Sequence, residues 1–216
     1  MDLTHPISSV IPSLEGRVLT VLARTSQPLT GRRVAQLVPD ASRSGVQAAL
    51  NRLVSHGLVV AEPYGHAVFY AANERHLMWE AVHALLQAAE ALPRRLRELV
   101  RAEVESTLSQ DEAAQTTVAL YGSVARGTGT PESDVDLLVV TRHAEPDKDV
   151  EALVLRLIED IPAATGNTCN VYLATRRDID ELVARGDPMV GSWLDDAEMI
   201  SGPDICAPLE GAPWPA

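Results

Sequence analysis

Asp134 and Asp136 flank a single valine inside an apolar run. Side chains alternate along a strand, so both carboxylates point from the same face. Paired hard oxygen donors on one rigid strand suit magnesium-type cations and leave coordination positions open for phosphate oxygens. Just upstream, another predicted strand ends in a Gly122-Ser123 turn. Gly122 allows close backbone approach to a ligand, and the amides from Ser123 onward, opening a short helix, can donate to a phosphate. Arg126 adds a permanent positive charge. These residue types divide the work of a phosphoryl-transfer centre: metal ions neutralise charge while a cradle holds a triphosphate in line.

The string GSVARGTGTPESDVDLLVV, Gly122 to Val140, resembles the signature of the polymerase-beta-like nucleotidyltransferase superfamily, most closely its minimal branch. The pattern is Gly-Ser, about ten residues, then Asp-x-Asp. Gly122, Ser123, Asp134 and Asp136 meet it, with LYGSVARG and SDVDLLVV also similar. The resemblance covers Leu92 to Gly202. It implies an α+β fold with a mixed sheet, Asp134 and Asp136 as catalytic residues holding Mg2+, and Gly122, Ser123 and Arg126 holding ATP or another nucleoside triphosphate. The implied reaction moves a nucleoside monophosphate, AMP by preference, to a hydroxyl on a protein, an RNA or a small molecule. Relatives of this size include antitoxin components that modify a partner protein and enzymes that adenylylate aminoglycosides. The reading without chemistry is a chance turn and strand, or a surface calcium loop.

One position departs from the family. A third strand, Cys169 to Ala174, usually carries a third carboxylate facing the first two, but here reads CNVYLA. Val171 and Leu173 take its apolar face, leaving Asn170 or Tyr172 where the acid is expected, and neither is a carboxylate. Three alternatives follow. An acid such as Asp178 or Asp180 reaches in, the acceptor brings its own activated nucleophile, or the domain binds nucleotide without transferring it. The last alternative describes a nucleotide-sensing or protein-docking regulator or antitoxin.

The N-terminal region is differently charged. Residues 1–76 hold seven arginines against five acids, whereas the remainder holds eleven basic residues against twenty-five acids, so the net charge of -12 resides wholly in the second part. Apolar spacing predicts helices from Leu14 to Arg24, from a Thr30 cap through Leu37, and from Ser42 to a His56-Gly57 stop. LVVAEP and AVFYA, joined at Tyr64-Gly65-His66, predict a hairpin. This order resembles winged-helix transcription regulators over residues 13–76. The resemblance implies a third helix in the DNA major groove, presenting Ser42, Arg43, Ser44, Gln47 and Asn51. Arg32 and Arg33 would meet backbone phosphates, and His66 at the wing tip would touch the adjacent groove. The competing reading is a solvated surface used for protein contacts.

The expected organisation is a winged helix over 1–76, a linking helix over 77–91, a nucleotidyltransferase-like domain over 92–202 and a flexible tail over 203–216. Pro93 is expected to separate two helices. The stripe Leu77, Val82, Leu85, Leu86 and Ala89 either pairs two protomers in a homodimer or is buried within one chain. No apolar run reaches the roughly 18 residues of a membrane span, no signal pattern opens the chain, and Cys169 and Cys206 have no metal-like spacing. A cytoplasmic protein with reduced cysteines is expected, its partners DNA, a nucleoside triphosphate and a protein acceptor or toxin.

Overall fold

Leu14–Ala23 forms α1 because its apolar residues recur at helical spacing; Val18, Leu19 and Leu22 are buried together. A two-residue strand, β1 (Leu29–Thr30), then leads into α2 (Gly31–Leu37), whose first turn is capped by the Thr30 hydroxyl accepting from the Arg33 amide. The Ser42 hydroxyl likewise caps α3 (Arg43–Ser55) by accepting from the Gly45 amide. Strands β2 (Val59–Tyr64) and β3 (Ala67–Ala72) pair antiparallel through the turn at Gly65 and His66, with Gly65 at φ 61°. Sequence periodicity missed β1, which two residues are too short to signal; it pairs with β3 and completes a sheet of order β1-β3-β2.

The computed structural model describes residues 1–143 and 147–214. The chain divides into two compact units, Thr4–Leu92 together with Asp2, and Pro93–Ala216 together with Met1 and Leu3. The division falls inside one long helix, α4 (Trp79–Thr107). This corrects the expectation that Pro93 separates two helices. Proline removes the donor for the carbonyl four residues earlier, at a cost of about 3 kcal/mol in a helix interior, but apolar anchors lie on either side. Leu86 is buried in the core of the first unit, with Trp79, Val82, Leu85 and Ala89 packed on it, while Leu77 is fully exposed. In the second unit Leu96, Val100 and Val104 are buried. Burial in both stretches outweighs the local cost of one proline.

The second unit continues with α5 (Gln110–Ala113), β4 (Thr117–Tyr121), α6 (Gly122–Ala125), β5 (Val135–Thr141) and α7 (Lys148–Thr165). It closes with β6 (Cys169–Thr175), α8 (Arg176–Ala184), α9 (Pro188–Asp196), β7 (Glu198–Ser201) and α10 (Cys206–Leu209). The four strands make a mixed sheet of order β6-β5-β4-β7, with β5 and β6 parallel and the other pairs antiparallel. The architecture is therefore α+β. Helix α7 packs on β5 and β6, burying Leu153, Leu157 and Ile161. Ala119, Leu138, Val140 and Ala174 form a core with Ile179 and Leu182 of α8, Val190 and Trp193 of α9, and Ile205 and Leu209.

The segment after Pro203 also differs from the expected flexible tail. Ile205 and Leu209 are 0% and 2% exposed, and the Trp214 indole donates to Asp180 Oδ1 at 2.9 Å. Proline and small residues hid these two apolar anchors, which stand at helical spacing but are too few to establish a periodicity. Both cysteines are free thiols; burial pushes Cys169 up to about 12. Among the described residues no helix is long and apolar enough to cross a membrane.

Trp193 is the largest fully buried side chain of this unit. Trp193→Ala is expected to lower unfolding free energy by about 3–5 kcal/mol, the range for large aromatic deletions, as read by urea denaturation.

Candidate active site

Tyr121 ends β4 opposite Asp136 of β5, and the chain turns directly into α6 with Gly122 at φ 77°. A Cβ built on Gly122 would lie 2.6 Å from Asp136 Oδ2, so both the backbone conformation and the space demand glycine. The Gly122–Ala125 turn thus rests against one of the two carboxylates. Asp134 immediately precedes β5, in a loop tied down from behind. The Asn167 amide donates to the carbonyls of Pro131 at 3.3 Å and Ser133 at 2.9 Å. The Val135 amide donates to the Thr168 carbonyl at 2.8 Å.

Parallel pairing of β5 with β6 sets Asn170 beside Asp136 and Tyr172 beside Leu138. Asn170 is therefore the residue at the place left open for the third acid, while Tyr172 turns toward Trp193 at a ring separation of 5.2 Å. The Asn170 Nδ2 group donates to Asp134 Oδ2 and to Asp136 Oδ1, each at 3.1 Å. One amide thus clamps both carboxylates onto the same side, as strand alternation requires. Asp178 and Asp180 do not supply the missing acid. Asp178 accepts from the Thr175 amide at 2.8 Å in a capping box at the start of α8, and Asp180 is bonded to Trp214.

The electrostatics follow from this crowding. Burial pushes the Asp136 carboxyl above its ordinary value, and the charges of Asp134 and Asp196 add to the effect, against the Asn170 hydrogen bond and Arg126. Burial, with the charges of Asp136, Tyr172 and Asp196, also holds the Tyr121 phenol above its ordinary range. Arg126 is not a free cation: it pairs with Asp196 at the end of α9, and α9 packs on α6. Sequence reasoning missed Asp196 and Asn167. Asp196 lies three residues after the buried Trp193, on the apolar face of α9; a carboxylate in that position signals a buried ion pair.

The donor set fits a hard divalent cation. Asp134 Oδ1 and Asp136 Oδ2 are left by the Asn170 clamp, and both carboxylates are partly exposed. Two carboxylates with space for waters and phosphate oxygens match magnesium chemistry.

In the first unit Arg32, Arg33, Ser42, Arg43, Ser44, Asn51 and His66 are exposed. Gln47 is not free: its Nε2 group donates to the Tyr70 hydroxyl at 2.9 Å and to Asn51 Oδ1 at 3.0 Å. The Ser42 hydroxyl is occupied as the cap of α3. Arg24 and Arg52 pair with Glu90 and Glu15; the first unit holds seven arginines and seven acids, and Arg32, Arg33 and Arg43 lie on α2 and at the start of α3.

The nucleotidyltransferase domain family matches residues 101–184, the span that holds Gly122, Ser123, Arg126, Asp134, Asp136 and Asn170. That match lies within the second unit and spans less than half of the chain. No curated protein matches the chain. Among solved structures, the chain is similar to one described as a toxin-antitoxin with AMP-PNP, at 13% identity over 53% of this chain and 84% of that one, TM-score 0.36. It is also similar to TrmBL2, an archaeal chromatin protein described as showing a novel mode of DNA binding, at 14% identity over 89% and 78%, TM-score 0.30. At these scores neither likeness bears on the chemistry of this chain.

A raised Asp136 value penalises the ionised carboxylate in the folded protein. Its effect on stability is therefore absent below the ordinary aspartate value of 3.8 and grows as pH rises through the higher folded value. In metal-free protein, Asp136→Asn is expected to raise Tm at pH 7 and to leave it unchanged at pH 3. An equal shift in Tm relative to wild type at both pH values would refute this electrostatic account.

Proposed function

We propose that the second unit is a metal-dependent nucleotidyltransferase that moves a nucleoside monophosphate, AMP from ATP, to a hydroxyl acceptor. The first unit, on this reading, is a winged-helix module that binds DNA, making the chain a transcription regulator with a nucleotide site. The observation that carries the first part is the Gly122–Ala125 turn set against Asp136, with Asp134 and Asp136 held side by side by Asn170. The turn's backbone amides and Ser123 would receive phosphate oxygens, with Arg126 alongside. Asp134 and Asp136 would hold Mg2+, which when bound supplies charge neutralisation at the phosphates.

In the reaction the acceptor oxygen forms a bond to the α-phosphorus, the bond from that phosphorus to the bridging oxygen breaks, and pyrophosphate leaves. The acceptor proton passes to solvent, because Asn170 takes no proton at neutral pH. This arrangement suits an acceptor that is already nucleophilic or a slow reaction on a partner protein, such as a toxin. Asn170 also supports a second reading, in which the domain senses nucleotide or docks a protein without turnover, as in a regulator or antitoxin.

Incubation with α-labelled ATP, Mg2+ and cell lysate separates the two. The transferase reading expects label on an acceptor, its loss in Asp134→Ala/Asp136→Ala, and a rise of about a hundredfold in Asn170→Asp, the lower end of the usual gain from a positioned acid-base group. Magnesium-dependent ATP binding without any label transfer supports the sensor, and unchanged labelling in the double variant refutes the site.

For the first unit, exposed Arg32, Arg33 and Arg43 together with His66 at the hairpin turn support DNA contact. Arg43→Ala is expected to weaken DNA binding several-fold, and if the contact is to phosphate the salt slope should fall by about 1. A gel shift identical to wild type removes α3 from the interface.

A further inference from the structure

Asp196, at the end of α9, is a carboxylate whose setting differs from that of Asp134 and Asp136. Its side chain is 2% exposed, whereas that of its partner Arg126 is 49% exposed. One oxygen accepts from the Arg126 guanidinium. The other, Oδ1, is buried with no hydrogen-bond partner among the described residues. Arg126 is therefore the polar partner on which this buried charge depends. Withdrawing Arg126 would strand an uncompensated carboxylate in the interior, which is strongly unfavourable.

We propose that Asp196 is a specificity-determining residue that, by committing the charge of Arg126, makes the site select metal-bound triphosphate over free triphosphate. The proposal rests on the nucleotide reading above. Among the described residues the charges acting on Asp136 beside the Gly122–Ala125 turn are the carboxylates Asp134 and Asp196 and one guanidinium, Arg126, so three carboxylates stand against one cation. A free triphosphate meets net negative charge there and cannot recruit Arg126 without leaving the buried Asp196 unpaired. A divalent cation on Asp134 and Asp136 cancels that net negative charge and offers open coordination positions to phosphate oxygens, so the triphosphate binds without moving Arg126. Asp196 acts through Arg126 and touches no reacting atom.

Ligand-observed NMR titration of ATP into the full chain, with Mg2+ or with EDTA, tests this in wild type, Asp196→Asn, Arg126→Ala and the double variant. Asp196→Asn should raise metal-free ATP affinity by about tenfold or more, the scale of one unscreened charge at close range, while changing Mg2+-ATP affinity less. The rise should vanish in the Arg126→Ala background, and Asp196→Glu should keep the wild-type metal requirement. Metal-free affinity that is unchanged or lower in Asp196→Asn, or a rise that persists without Arg126, overturns the proposal. If Asp196→Asn fails to fold, Arg126→Ala decides: metal-free affinity within about twofold of wild type is expected, and a tenfold fall shows that Arg126 was available all along. Wild type that binds no nucleotide even with Mg2+ sinks the nucleotide reading; binding that then appears in Asp196→Asn retains the charge lock, and none there overturns both.

Discussion

Two aspartates ionised side by side at the end of a sheet repel each other, and the second unit is arranged around that repulsion. Strand alternation puts Asp134 and Asp136 on one side, Gly122 presses backbone against Asp136, and the Asn170 amide is the neutral group that bridges them. Like charges at this spacing are tolerated where hydrogen-bond donors or counter-charges compensate them. Asn170 supplies part of that compensation in the protein itself, and the remaining negative potential is what a divalent cation would answer. The elevated Asp136 carboxyl is the visible cost of keeping such a centre partly buried.

Helix α9 shows how packing and electrostatics are joined. Trp193 fills the core beneath β4 and meets Tyr121 and Tyr172 edge-on, which fixes the end of the helix near the glycine turn. Asp196, one turn onward, is consequently buried and bound to Arg126. A side chain that composition alone marks as a free cation is instead committed to a partner seventy residues away in sequence. The available charge at the site is a property of the folded pair, and Arg126 contributes less positive field than its type suggests.

In the first unit the same distinction applies to Gln47. Its place on α3 suggests an exposed polar surface, but the Tyr70 hydroxyl reaches across from β3 and holds the amide. Arg32, Arg33 and Arg43 keep their exposure, because the apolar positions Val34 and Val46 on the same helices draw the opposite faces inward. Burial of one stripe determines which polar residues face solvent.

Much was legible in the sequence because it depends on neighbours along the chain. Strand alternation placed the two aspartates together, the Gly-Ser turn marked a close approach, and Thr30 and Ser42 announced helix starts through caps formed within three residues. Periodic apolar stripes likewise located α1 and α3. What only the tertiary structure decided involves partners distant in sequence. Strand register chose Asn170 over Tyr172 as the occupant of the third position, burial on both sides carried α4 through Pro93, and core packing ordered Ile205 and Leu209 after a proline-rich stretch. The pairing of Arg126 with Asp196 belongs to the same class. Local conformational preferences are written residue by residue, whereas register, burial and charge pairing are settled by which surfaces meet when the chain closes on itself.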